Sequence, residues 1–176
     1  MKATVEPLNP EHARQYRALM LEGYAQAPDA FTSTPEERAA EPEAWWVKRI
    51  GDPSGLTVAF GAFVDQDLVG TVALDFSAKP KTEHKSLLIG IYVTPRARGT
   101  GLGKQLVQNA VELARARAGT KLVTLTVTQG NESAIKLYRG AGFAEFGTEP
   151  MALLTPNGYK AKLHMWLQLQ GAGAAA

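Results

Sequence analysis

The chain has 176 residues, of which 45% are hydrophobic, enough to bury a sizeable core in one domain. A formal charge of +2 with no long block of like charge argues against a nucleic-acid partner, and the absence of cysteine excludes disulfides, a thiolate nucleophile and cysteine-based metal centres. His12, His84 and His164 are scattered without metal-ligand spacing, Met1–Pro7 has no apolar signal region, and no apolar run reaches the length of a membrane span. A cytoplasmic protein without metal is the expectation.

In chain order, Thr4–Leu8 is predicted as a short strand, and Pro10 opens a helix through His12, Tyr16 and Leu19 to Leu21. Ala27–Pro35 reads as loop. Glu36–Ile50 reads as helix interrupted near Pro42, which cannot donate to the preceding turn. Val58–Val64 and Leu68–Phe76 form a hairpin about Asp65-Gln66-Asp67. After the polar loop Lys79–Lys85, Leu87–Val93 is a largely apolar strand suited to a buried sheet position. Gly90 within it suits a bulge or a close backbone approach.

Gly101–Ala118 is a helix whose apolar face is Leu102, Leu106, Ala110, Leu113 and Ala114. Leu122–Val127 is a β-branched strand. Asn131 caps a helix carrying Ala134, Leu137, Tyr138 and Ala141, and Gly142 ends it. A strand from Phe143, a turn at Pro156-Asn157-Gly158 and a strand Tyr159–Leu169 close the sheet. Residues 1–170 read as one α/β domain with an α+β mixed sheet, and Gly171–Ala176 as a disordered low-complexity tail.

The segment Val93-Thr94-Pro95-Arg96-Ala97-Arg98-Gly99-Thr100-Gly101-Leu102-Gly103-Lys104 carries the chemistry. A strand ends, a glycine-rich turn follows and a helix starts at once, gathering unpaired N–H groups where the macrodipole favours an anion. A Walker loop does not fit: Arg98 stands where its first glycine belongs, and Gln105 replaces its hydroxyl. The dinucleotide fingerprint would need glycine at Lys104. What remains is Arg-x-x-Gly-x-Gly, at Arg98, Gly101 and Gly103, or an ordinary tight strand-to-helix turn. Arg98 and Lys104 are either phosphate contacts or solvated charges.

That loop resembles the acyl-CoA pyrophosphate loop of the GNAT superfamily of N-acyltransferases. Thr124 to Phe143, with Asn131, Ala134, Leu137-Tyr138 and Gly142-Phe143, resembles the second GNAT signature, in family order some thirty residues later. Phe31-Thr32-Ser33-Thr34 and Phe146-Gly147-Thr148-Glu149-Pro150 are similar to a common bacterial branch of that superfamily.

The resemblance implies a central mixed sheet with two splayed parallel strands, flanked by helices. It implies transfer of an acetyl group from acetyl-CoA to a primary amine, within a ternary complex, on a small-molecule or peptide acceptor. Backbone groups of Ile91, Tyr92 and Val93 would bond the pantetheine and polarise the thioester. Arg98, Gly99, Thr100, Gly101, Leu102, Gly103 and Lys104 would hold the pyrophosphate. Asn131 would bond the pantetheine or simply cap its helix. Tyr138 would be the general acid toward the leaving thiolate, its competing role being a core tyrosine.

No general base follows. Some members carry glutamate where this chain has Leu87, and Glu83, His84 and Glu149 are weak candidates that also read as surface residues. Glu36, Glu37, Glu41 and Glu43 with Trp45 and Trp46 would enclose a cationic acceptor, or be a solvated face and a core. Homodimerisation, common in that superfamily, is carried as an expectation. The alternatives are a noncatalytic acyl-CoA-binding or regulatory module on the same fold, and a protein binding another nucleotide.

Overall fold

A computed structural model describes residues 2–170; the predicted tail at 171–176 lies outside them. Seven strands form one sheet in the order β1-β2-β3-β4-β5-β7-β6. They are β1 (Ala3–Pro7), β2 (Thr57–Val64), β3 (Asp67–Phe76), β4 (Lys85–Val93), β5 (Leu122–Thr128), β6 (Ala144–Thr155) and β7 (Gly158–Gln168). All neighbours are antiparallel except β4 and β5. The last strand therefore does not close the sheet as expected: β7 inserts beside β5 and leaves β6 as the outer edge. Phe146, Met151 and Leu154 on that edge strand are exposed.

Among the described residues the α-helices are α1 (Ala13–Gln26), α2 (Pro35–Ala39), α3 (Glu43–Ile50), α4 (Leu102–Ala116) and α5 (Glu132–Gly140). Pro10–His12 is a 3-10 turn opened by Asn9, whose side chain accepts from Glu11 N at 2.9 Å. The helix predicted to stop at Leu21 continues to Gln26. Gly23 lies within it, and a Cβ there would stand 3.0 Å from the Tyr92 ring, so the missing side chain lets α1 lie against β4. Pro35 is the first residue of α2 rather than loop, since Thr34 and Glu37 form a reciprocal capping box. These bonds, the backbone N–H of Thr34 first, hold the Glu37 carboxyl below its ordinary range.

Two apolar layers sandwich the sheet. On one face Leu102, Leu106, Val107 and Ala110 of α4 and Ile135 and Tyr138 of α5 pack with Val123, Leu125, Val127, Leu163 and Met165. On the other, Tyr16, Leu19, Met20 and Tyr24 of α1 and Trp46 and Ile50 of α3 pack with Phe63, Ala73 and Tyr92. The buried residues of α5 are Ile135 and Tyr138, while the predicted Ala134, Leu137 and Ala141 are half-buried. Among the described residues no helix is long and apolar enough to cross a membrane.

Candidate functional site

The parallel pair β4–β5 is short. It holds only at Lys85↔Leu122, Ser86↔Val123 and Leu87↔Thr124, after which the strands diverge. From Leu88 to Val93, β4 has no strand partner on that side. Its other edge stays paired with β3, but the register shifts where Gly90 and Ile91 oppose Val72. Gly90 sits at φ +62°, which L side chains adopt only under strain, so the bulge expected there is present.

The gap opens into a cleft of about 700 Å³. One wall is β4 from Leu87 to Val93, and the other includes Thr126, Val127 and Thr128 of β5. At the end of β4 the chain turns through Pro95–Ala97 and the Gly99 and Gly101 positions, at φ +76° and +85°, into α4. The N–H groups of Gly99, Thr100 and Gly101 find no acceptor among the described residues. Gln105 N–H is bonded to Gly101 O at 3.1 Å, leaving the first turn of α4, Leu102 to Lys104, with its donors open. A Cβ at Gly99 or Gly101 would meet nothing within 4 Å, so glycine serves the backbone conformation and keeps the approach clear. Together these groups form a donor-lined seat of a kind that suits an anion.

The seat is braced by side chains. Arg98 Nε donates to Val93 O at 3.1 Å, and its guanidinium lies 5.9 Å from the Tyr92 ring centre. Thr100 Oγ1 donates to Ala97 O at 2.6 Å. Tyr92 is 5% exposed and its hydroxyl donates to Glu22 Oε1 at 2.9 Å. Burial first, then Glu22, pushes that phenol up to about 12.

Across the gap, Asn131 caps α5 by accepting from Ala134 N at 3.4 Å and from Ser133 Oγ at 3.3 Å. Seven residues on, two helical turns along, Tyr138 is 4% exposed yet lines the cleft. Burial alone raises its phenol well above the ordinary tyrosine value, and its hydroxyl has no hydrogen-bond partner among the described residues. A neutral, unpartnered hydroxyl at a cleft wall is free to donate to a ligand.

The cleft thus brings together Ile91, Tyr92, Val93, Arg98, Gly99, Gly101, Leu102, Gly103, Lys104, Asn131 and Tyr138. Thr100 stands in the same loop but off the lining. Glu83 and His84 precede β4 at its closed end, where His84 O accepts from Lys121 N–H. Glu149 is on β6, 3.2 Å from His164 Nε2. None of these three lines the cleft.

The proposed acceptor enclosure is not there either. Trp46 is 1% exposed in the core beneath α1, Glu37 is spent on its cap, and Glu41 pairs with Arg38 at 3.5 Å. The wall on that face is instead Ala27, Ala30, Phe31 and Thr32, together with Lys162 of β7. Phe31 and Thr32 had entered only as marks of resemblance, and Lys162 had no signal at all, since a lysine in an alternating strand reads as solvent-facing. Among the described residues no group of three His, Cys, Asp or Glu could hold a metal ion.

A model of the acetyltransferase (GNAT) family matches residues 17–143. The chain is 35% identical over 130 residues to a mycothiol acetyltransferase from Rhodococcus jostii (strain RHA1), covering 72% of this chain and 40% of that one. It is 30% identical over 103 residues to the L-amino acid N-acetyltransferase AaaT of Escherichia coli (strain K12), covering 58% and 62%. The matches therefore span less than two thirds of these curated relatives. Among solved structures, a phosphinothricin acetyltransferase from Sinorhizobium meliloti in complex with AcCoA superposes with a TM-score of 0.83 at 22% identity, over 100% of this chain and 92% of that one.

Proposed function

The chain belongs to the GNAT acetyltransferase family, and from that premise we propose that it moves an acetyl group from acetyl-CoA to a primary amine by direct attack. The observation that carries this is the opening of β4 from β5 after Leu87, with the open first turn of α4 at its mouth. A gap between two strands suits an extended amide-bearing chain, which can pair with the free edge of β4 as a strand would. The pantetheine arm has that form.

The diphosphate of acetyl-CoA would rest on the N–H groups from Gly99 to Lys104, with Arg98 and Lys104 adding charge. Ile91, Tyr92 and Val93 would offer main-chain groups to the pantetheine amides. An N–H at the Gly90–Ile91 bulge, turned out of the β3 ladder, would polarise the thioester carbonyl and stabilise its oxyanion. The amine then adds to that carbon, the C–S bond breaks, and Tyr138 donates its proton to the departing sulfur. A phenol kept neutral by burial retains that proton throughout the working pH range. Asn131 holds α5, and so Tyr138, against the gap.

With no carboxylate on the lining, the amine arrives neutral or is deprotonated through water, and the proton that its nitrogen sheds after addition passes through water, restoring the Tyr138 phenol. A noncatalytic acyl-CoA-binding module would share the seat, and turnover separates the two. Free-thiol release from acetyl-CoA, measured against amines, amino acids and short peptides, should depend on an amine and match the acetylated product mole for mole. CoA binding with no amine-dependent release across that panel would overturn the transferase reading.

A further inference from the structure

The cleft reaches both faces of the sheet, and its cations fall into two groups. Arg98 and Lys104 accompany the loop that leads into α4. Lys162 is on the opposite face: its neighbours Leu163 and Met165 point into the layer packed by α4 and α5, so Lys162, in alternation, points toward the α1 side. There the Pro28–Ala30 turn is strapped to the sheet, with Thr128 Oγ1 donating to Asp29 O at 2.6 Å and Lys160 Nζ on Asp29 Oδ2 at 2.5 Å.

Lys162 has no anionic partner among the described residues. Two acids on this side of the sheet are engaged elsewhere. Asp29 takes Lys160, and Glu149, directly across from Lys162 on β6, turns its carboxylate to His164. A half-buried lysine that lines a cleft without a counter-ion favours an anionic ligand there.

Its level in the sheet locates that ligand. Counting four residues on from the last pair, Leu87↔Thr124, brings β4 to Ile91 and β5 to Thr128, and Thr128 pairs with Lys162. Lys162 is therefore level with the bulge, on the far side of the opening and of β5. Pantetheine is uncharged, so the cosubstrate offers no anion at this level. The acceptor amine adds to one face of the planar thioester carbonyl; with Tyr138 in the α4 and α5 layer, the face left for it is the one lined by Phe31, Thr32 and Lys162.

We propose that Lys162 binds a carboxylate on the acceptor, making this site selective for amines that carry a carboxylate beside the amino group, the chemistry of a free amino acid. This rests on the acetyl-CoA-dependent transferase reading above.

The test uses the full chain and its Lys162→Gln and Lys162→Arg variants. L-amino acids and their carboxamides serve as paired acceptors. Lys162→Gln should lower kcat/KM for the acids by about tenfold to a hundredfold, as expected for losing one charge-assisted bond. It should lower the carboxamides by no more than about threefold, as for a neutral hydrogen bond, and Lys162→Arg should recover part of the loss for the acids. Equal rates for acids and carboxamides in the unaltered protein would overturn the proposal.

Two further arms keep it separate from the transferase reading. Calorimetry of an N-acetyl-L-amino acid and its amide on CoA-saturated protein reads the anion preference without turnover. Tighter binding of the acid, lost in Lys162→Gln, supports the assignment even if no acceptor is consumed, and equal binding sinks it. CoA and 3′-dephospho-CoA are titrated in parallel. If Lys162→Gln weakens CoA but not dephospho-CoA, the lysine serves the cosubstrate phosphate and the acceptor assignment is wrong.

Discussion

At the Gly99–Lys104 mouth of the cleft, the groups turned toward a ligand are main-chain N–H donors, and the local side chains mainly brace the turn. On the opposite face the wall is made of side chains, Phe31, Thr32 and Lys162, carried by the segment after the Pro28–Ala30 turn and by an antiparallel strand. A backbone site depends on conformation, so its requirements fall on glycines and spacing. A side-chain site depends on chemistry at isolated positions, which can change without disturbing the strand or loop that carries them. The first kind suits a ligand with an invariant diphosphate, and the second suits one whose identity differs between relatives.

The sharpest way to break this comparison is Gly101→Glu. Carboxylate and bulk in the donor-lined seat should lower acetyl-CoA affinity by about a hundredfold or more, roughly 3 kcal/mol. Isothermal titration of a folded variant checks it, and unchanged affinity would remove the diphosphate from that loop.

Tyr138→Phe comes next. It should reduce kcat by about a hundredfold, in keeping with loss of a positioned general acid, while leaving the acetyl-CoA dissociation constant within about twofold. Wild-type turnover would return Tyr138 to a purely structural role beside Phe143, whose ring centre is 6.0 Å away.

A finer comparison uses two glycines with the same backbone. Gly101 and Gly119 both sit at φ +85°, and a Cβ at either would meet nothing within 4 Å. Alanine at each should cost a similar stability, about 1 kcal/mol, read by urea denaturation. Only Gly101→Ala should also weaken CoA binding, because Gly119 lies beyond the far end of α4.

The smallest expected effect is alkaline. Burial raises the Tyr138 phenol above its unfolded value of 10.0, so its neutral form favours folding fully below that pH and progressively less above it. Tyr138→Phe should flatten, without abolishing, the loss of stability above about pH 10, since Tyr16, Tyr24 and Tyr92 are raised as well. Denaturant midpoints across the alkaline range test this, and an unchanged slope would contradict it.

The same division explains what could be read without a structure. The loop-to-α4 start, the Gly90 bulge, the Asn131 cap and the Pro156-Asn157 turn of the last hairpin each rest on a local rule linking residue type to conformation, and each is present. The last turn of α1, beyond the expected end at Leu21, depends on Gly23 fitting against Tyr92, some seventy residues on. The insertion of β7 between β5 and β6 is a matter of pairing over distance, invisible in periodicity. Trp46 and the acids of α2 and α3 looked like an acceptor enclosure by composition alone, yet the tryptophan packs in the core. Lys162, on an alternating strand, reads as an outward lysine, and only the pairing of β7 with β5 brings it to the cleft.

The central claim is that acetyl-CoA lies as an added strand in the β4–β5 opening with its diphosphate on the start of α4. Amide NMR spectra of the protein with and without acetyl-CoA test this most directly. The account predicts the largest shifts at Ile91, Tyr92 and Val93 and at Gly99, Gly101 and Gly103, with the β2–β3 hairpin tip at Asp65–Gln66 unmoved. Saturable binding that perturbs other surfaces and leaves those six amides in place would contradict it.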